Sequence, residues 1–382
     1  MKVQHSRRFS IRLLLVLLAV PGGCRSIPEG GGGGVFDTAG YDRFAALAHR
    51  LEAGELPGEE DWSALAREPG YDALLDSEAE ERGLRRRMRL VFRPQEAAER
   101  ATVAAAGGYE AHLMAHLASH AERWDELAAW RDRLADPHEG ARWLEEALER
   151  TRTFLPSALD PRRDPPRIFV VAYDRDATGA GGVVVLDLVL TRELGEQRLV
   201  DLLAHELHHV YADRVAHLPA PDRDAPAYFL FHALRQLQQE GIADLIDKQA
   251  LIEARTEPED EYGRAYVDGY QRSAVILAEA DARIVAYGAA PSAEAARAVL
   301  DALPFFGHPN GAFMARSIVA AEGLPALIAT LGNPFDFVRA YDRAAGELAG
   351  AQPFSDEAWA VLAAVERECE AARAIADAPA GV

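Results

Sequence analysis

The chain has 382 residues, about half of them apolar, enough to bury a sizeable core in one large domain or two ordinary ones. With 61 acidic against 41 basic residues the formal charge is −20, which argues against nucleic acid as a partner, because phosphate backbones reward clustered Lys and Arg. Two cysteines, Cys24 and Cys369, do not make a disulfide framework.

Lys2, Arg7, Arg8 and Arg12 flank or precede a short apolar run, Leu13 to Val20, which is too short to span a bilayer comfortably. Residues 1–23 therefore read as an export signal, not as part of the fold. Pro21-Gly22-Gly23-Cys24 resembles a bacterial lipobox, whose cysteine is lipidated after cleavage, although Pro21 stands where leucine is usual. That resemblance implies an exported, cell-envelope protein anchored to a membrane through Cys24. The alternative is an ordinary signal peptide with an incidental cysteine. Residues 24–40 hold Pro28 and the run Gly30 to Gly34, and read as a flexible tether.

Residues 41–160 repeat apolar side chains at three- and four-residue steps, as in Phe44, Leu47 and Leu51, and predict a helical N-terminal region. Pro156, Pro161, Pro165 and Pro166 end it. Arg167 to Tyr173 and Val183 to Leu190 are β-branched and apolar, and predict two strands of a small antiparallel sheet. From Glu196 onward the pattern is helical again. The expectation is a mostly α, α+β protein, with a catalytic domain over 165–350 and a C-terminal helix over 351–382.

Within the helix predicted over Glu196 to Val215 lies His205-Glu206-Leu207-His208-His209. Residues i and i+4 share a helical face, so His205 and His209 can aim two imidazoles at one Zn²⁺. Glu206 is offset by about 100° and can reach a water activated there without ligating the ion. His208 faces elsewhere and is not expected to ligate. A later helix carries Gln239-Glu240-Gly241-Ile242-Ala243-Asp244. Glu240 is the expected third ligand. Asp244, one turn on, is placed to accept the far ring N–H of His205. Gly241 and Ala243 are small enough to let this helix approach the HExxH helix closely.

At these residues the sequence resembles the gluzincin peptidases, the thermolysin-like group with two histidines and a downstream glutamate. Glu-Gly-x-Ala-Asp is similar to the form found in bacterial families of zinc-dependent peptidases with little characterisation. The likeness covers about 170 to 340. It implies zinc held by His205, His209 and Glu240, Glu206 as general base and later proton donor, and Asp244 as the orienting aspartate. It also implies an edge strand, Val183 to Leu190, along which an extended peptide substrate pairs. The thirty-residue gap from His209 to Glu240 is longer than in thermolysin-like enzymes, and Pro219, Pro221 and Pro226 suggest a loop insertion there. A metzincin would have Gly at 212 and His at 215, where this chain has Ala212 and Val215.

Peptide hydrolysis also needs a donor for the developing oxyanion. Candidates are His308, in a Gly- and Pro-rich turn opening a helix over Ala312 to Ala321, then Tyr266, Tyr262 and Tyr270. His112, His116 and His120, at i, i+4 and i+8, read as a surface stripe. The sequence thus predicts a zinc-dependent peptidase acting on peptide or protein. Its rivals are a zinc amidase acting on cell-envelope material and a lipid-anchored binding or scaffold protein with a non-catalytic zinc site.

Overall fold

The computed structural model describes residues 34–254, 258 and 260–376. The export signal, Cys24 and all but the end of the glycine tether lie outside the described residues. Of the described residues 72% are helical, and they hold one small four-stranded mixed sheet. Among the described residues no helix is long and apolar enough to cross a membrane. The described residues divide into two compact units, one within 34–144 and 166–199 and the other within 145–165 and 200–376.

The first unit holds the sheet, in the order β1 (Phe36–Asp37), β2 (Arg167–Val171), β4 (Val183–Asp187), β3 (Ala177–Ala180). β2 is buried beyond its first residue and β4 is buried throughout, as their unbroken β-branched runs require. The two run parallel, with Ile168 opposite Val184 and Val170 opposite Leu186. The expected antiparallel pair is thus corrected. Gly181 and Gly182, both at positive φ, make a tight turn that folds β3 back on β4. β3 takes the antiparallel place, and β4 is left pointing the same way as β2. Because β4 has a neighbour on each side, it is not the edge strand expected to pair with substrate. It also stops at Asp187, short of Leu190, because the Asp187 Oδ1 accepts Leu190 N–H at 3.0 Å and caps a helix there.

Around the sheet pack short helices, from Ala39–Glu52 to Trp124–Ala135. Pro69–Leu74 approaches closely through Gly70, where a Cβ would lie 2.8 Å from Val171. Tyr71 donates to Ala172 O at 2.9 Å. The strand Phe36–Asp37 falls inside the span expected to be tether. Phe36 is buried and meets Trp143 edge-on at 6.1 Å, which is reason enough for that residue to pack.

The HExxH helix is part of a longer element, Leu188–Val215, interrupted at Gly195 (φ 68°), where the chain leaves helical geometry. In the second unit Tyr228–Asp247 is buried almost all round, from Leu230 to Leu245. A helix with no solvent face must pair its polar residues. Gln238 donates to Thr330 O at 2.6 Å, and Gln239 donates to Asp213 Oδ1 at 2.8 Å. Arg235 reaches the same carboxylate at 2.6 Å, so the Asp213 turn of the HExxH helix is stapled to this one. The helix His308–Glu322 crosses it at a glycine pair. A Cβ on Gly241 would lie 2.3 Å from Gly311 C, and one on Gly311 would lie 2.2 Å from Leu237 O. Gly241 therefore serves the His308 helix rather than the HExxH helix.

Candidate metal centre

Helical spacing brings His205 and His209 onto one buried face, and Glu240 meets them from Tyr228–Asp247. His205 Nε2 and His209 Nε2 are 3.0 Å apart. Glu240 Oε2 lies 3.4 Å from His205 Nε2 and 3.2 Å from His209 Nε2. Three like-sized separations define a small triangle of donor atoms. Four-coordinate zinc, with bonds of about 2.0–2.1 Å, requires donors about 3.3 Å apart, so the triangle fits one face of its coordination tetrahedron. The donor set of two imidazoles and one carboxylate also fits a catalytic zinc, which keeps a further position for water.

Electrostatics agree with the geometry. All three groups are buried. Burial raises the pKa of Glu240, but His209 and His308 more than offset it and hold the carboxyl well below its usual range. Burial disfavours charge on His205, yet Asp247, by charge and hydrogen bond, raises its pKa well above the ordinary value. The cluster thus gathers negative charge around imidazoles that a dication would deprotonate. Glu206 is buried beside it, and burial raises its pKa against the pull of His205 and His209. A carboxylate raised in this way is a better proton acceptor.

The carboxylate oriented on His205 differs from the expected one. His205 Nδ1 is 3.0 Å from Asp247 Oδ1 and 3.7 Å from Asp244 Oδ1. Asp247 also pairs with Lys248. Asp244, fully buried, instead holds His308, whose Nδ1 lies 3.1 Å from both carboxylate oxygens. Tyr266 donates to Asp244 Oδ2 at 2.7 Å. Tyr266 is therefore committed to a carboxylate, and its hydroxyl is occupied. His308 Nε2 points back to the centre, 3.2 Å from Glu240 Oε2. The carboxylates of Glu240 and Asp244 outweigh burial and lift His308 to about 9.

Unusual backbone delivers His308. Phe305 and Phe306 have positive φ (49° and 55°), followed by Gly307 at 96°. Such conformations are costly for aromatic residues and concentrate at functional sites. The helix then begins at His308, with Pro309 in its first turn, rather than at Ala312.

The structure brings together His205, Glu206, His209, Glu240, Asp244 and His308. Asp247 and Lys248 went unrecognised in the sequence, though Asp247 stands seven residues after Glu240, two helical turns on. His208 is buried beside His209 without a well-formed hydrogen bond, and burial pushes it down to about 3. It stays neutral and outside the triangle. The histidine stripe is at the surface only for His112; His116 and His120 are buried.

Comparison with protein families matches residues 62–349, most of the chain, to the family described as "Putative zinc dependent peptidase (DUF5700)". No curated protein and no solved structure matches the chain.

Proposed function

The chain belongs to this family of zinc-dependent peptidases, and on that premise we propose that it hydrolyses peptide bonds at a gluzincin-type centre. Zinc is held by His205, His209 and Glu240, and Glu206 is the general base. The observation that carries the reading is the donor triangle, 3.0–3.4 Å on a side, with a raised, buried Glu206 next to it. Zinc bound there supplies acidification of a water and polarisation of the scissile carbonyl.

The chain's own residues do the rest. Glu206 takes the proton of the attacking water and returns it to the leaving amine. Asp247 fixes the tautomer of His205 so that Nε2 carries the free lone pair. His308, cationic and held by Asp244, which Tyr266 secures, donates from Nε2 to the oxygen that gains charge in the transition state. Because Asp244 takes the Nδ1–H, Nε2 donates only while the ring is protonated at both nitrogens. Asp244, a buried acceptor for Nδ1–H, and the nearby Glu240 both favour that doubly protonated form.

An amidase acting on cell-envelope material uses the same centre and differs only in the acyl group recognised. Export and anchoring through Cys24 remain part of the proposal and rest on the N-terminal sequence alone.

Glu206→Gln tests the reading. The variant keeps the shape and the metal ligands but has no base. Zinc content equal to wild type with hydrolysis of a peptide library abolished is the expected result. A variant that cleaves at the wild-type rate removes Glu206 from the chemistry.

A further inference from the structure

The first unit contains another set of metal-type donors. His116 and His120 lie one turn apart on the helix Gly108–Ala121, and both side chains turn inward, 7% and 0% exposed. Asp187, at the end of β4, is 2% exposed. His116 Nε2 is 2.8 Å from Asp187 Oδ2. One donor atom from each of His116, His120 and Asp187 lies within 4.8 Å of the others.

Two observations make this more than a buried His–Asp pair. Both ring nitrogens of His120 are buried with no hydrogen-bond partner, and so is the hydroxyl of Tyr41. Tyr41 packs 5.8 Å from His120, ring to ring, and Phe44 lies at 5.4 Å. Each orphaned polar atom in such a place costs about 1–3 kcal/mol, and leucine would fill the same space at no such cost. A bound ion removes that cost for the nitrogen it takes. The second observation is that Asp187 is held rigidly. Its Oδ1 accepts Leu190 N–H at 3.0 Å and its Oδ2 accepts Tyr173 N–H at 3.2 Å. A carboxylate fixed in this way, with two buried imidazoles within reach, is a prepared ligand set.

We propose that His116, His120 and Asp187 form a second divalent-metal site, structural in role, which ties the helix Gly108–Ala121 to the end of β4. Two imidazoles and a carboxylate suit zinc or a neighbouring borderline ion better than calcium or magnesium. No carboxylate adjoins His116, His120 or Asp187 in the sequence, so the site has no counterpart of Glu206.

The site is tested in the full chain by metal analysis, independently of hydrolysis. His205→Ala/His209→Ala dismantles the other centre. After exposure to zinc and dialysis, this variant retains about one zinc per chain, and adding His116→Gln/His120→Leu brings it to about none. Cobalt loaded into the first variant gives visible bands of a nitrogen- and oxygen-ligated ion, and the added pair removes them. A folded His205→Ala/His209→Ala chain that holds neither zinc nor cobalt overturns the proposal. Should that variant not fold, His116→Gln/His120→Leu alone is compared with wild type. A fall from about two zinc ions to about one supports the site, and an unchanged count overturns it. Wild type losing its only zinc through the His116/His120 pair would support this site and count against the HExxH centre, so the two failures are distinguishable.

Discussion

Replacing Asp247 by Asn tests how the centre is built. His205 Nδ1 makes a hydrogen bond to Asp247 at 3.0 Å and none to Asp244 at 3.7 Å. Loss of a carboxylate behind a ligand histidine costs about 10–100-fold in metal affinity, or about 1.4–2.7 kcal/mol. The amide oxygen of Asn can still accept, so about tenfold is expected for Asp247→Asn. A second effect runs through Lys248, which loses its partner. Its side chain is 19% exposed, so the stranded ammonium costs a discounted ~1–3 kcal/mol of folding stability. Adding Lys248→Met removes that second effect and leaves the first. Zinc affinity is measured by competition with a chromophoric chelator, and stability by urea unfolding of the metal-free chain. Asp247→Asn with or without Lys248→Met binds zinc about tenfold more weakly, whereas Asp244→Asn binds it nearly as wild type and loses turnover through His308. Wild-type zinc affinity in Asp247→Asn together with a large loss in Asp244→Asn would refute the reasoning.

Other consequences follow from the same geometry. Gly311→Ala gains helix propensity of about 1 kcal/mol but drives a Cβ to 2.2 Å from Leu237 O, so a net loss of about 1–3 kcal/mol is expected in urea unfolding. An unchanged or higher midpoint would show that the crossing is not tight. His308→Ala lowers kcat by about 10²–10³ with zinc content and KM little changed, read from steady-state kinetics and metal analysis. A loss confined to KM would make His308 a substrate-binding group. Zinc binding is expected to weaken as pH falls through the range, raised above the ordinary imidazole value, in which His205 takes up its second proton, because that proton competes for Nε2. Competition titrations at several pH values check this, and a flat profile contradicts it.

The parts of the site legible in the sequence were those fixed by helical period. His205 and His209 share a face because four residues make about one turn, and that holds wherever the helix lies. Glu240 was found as an acidic residue on a later helix, next to a glycine. What the period could not give was direction between helices. Asp244 and Asp247 are one and two turns from Glu240, and only the packing of Tyr228–Asp247 decides which of them meets His205. Asp244 goes to His308 because the Gly241–Gly311 crossing brings the His308 helix against its side of the helix. The fold shows the same divide. The two strands were visible in their β-branched runs, but their relative direction depended on the four residues of β3, Ala177–Ala180, whose small side chains carry almost no strand signal. His116 and His120 read as a surface stripe for a similar reason, since Asp187, the partner of His116, lies far along the chain.

The central claim is a zinc ion shared by His205, His209 and Glu240. Anomalous diffraction from crystals of the zinc-loaded protein, collected on either side of the zinc absorption edge, tests it most directly. The account predicts a peak about 2.0–2.2 Å from His205 Nε2, His209 Nε2 and a Glu240 carboxylate oxygen. A zinc-loaded crystal with no peak among these three residues would contradict it.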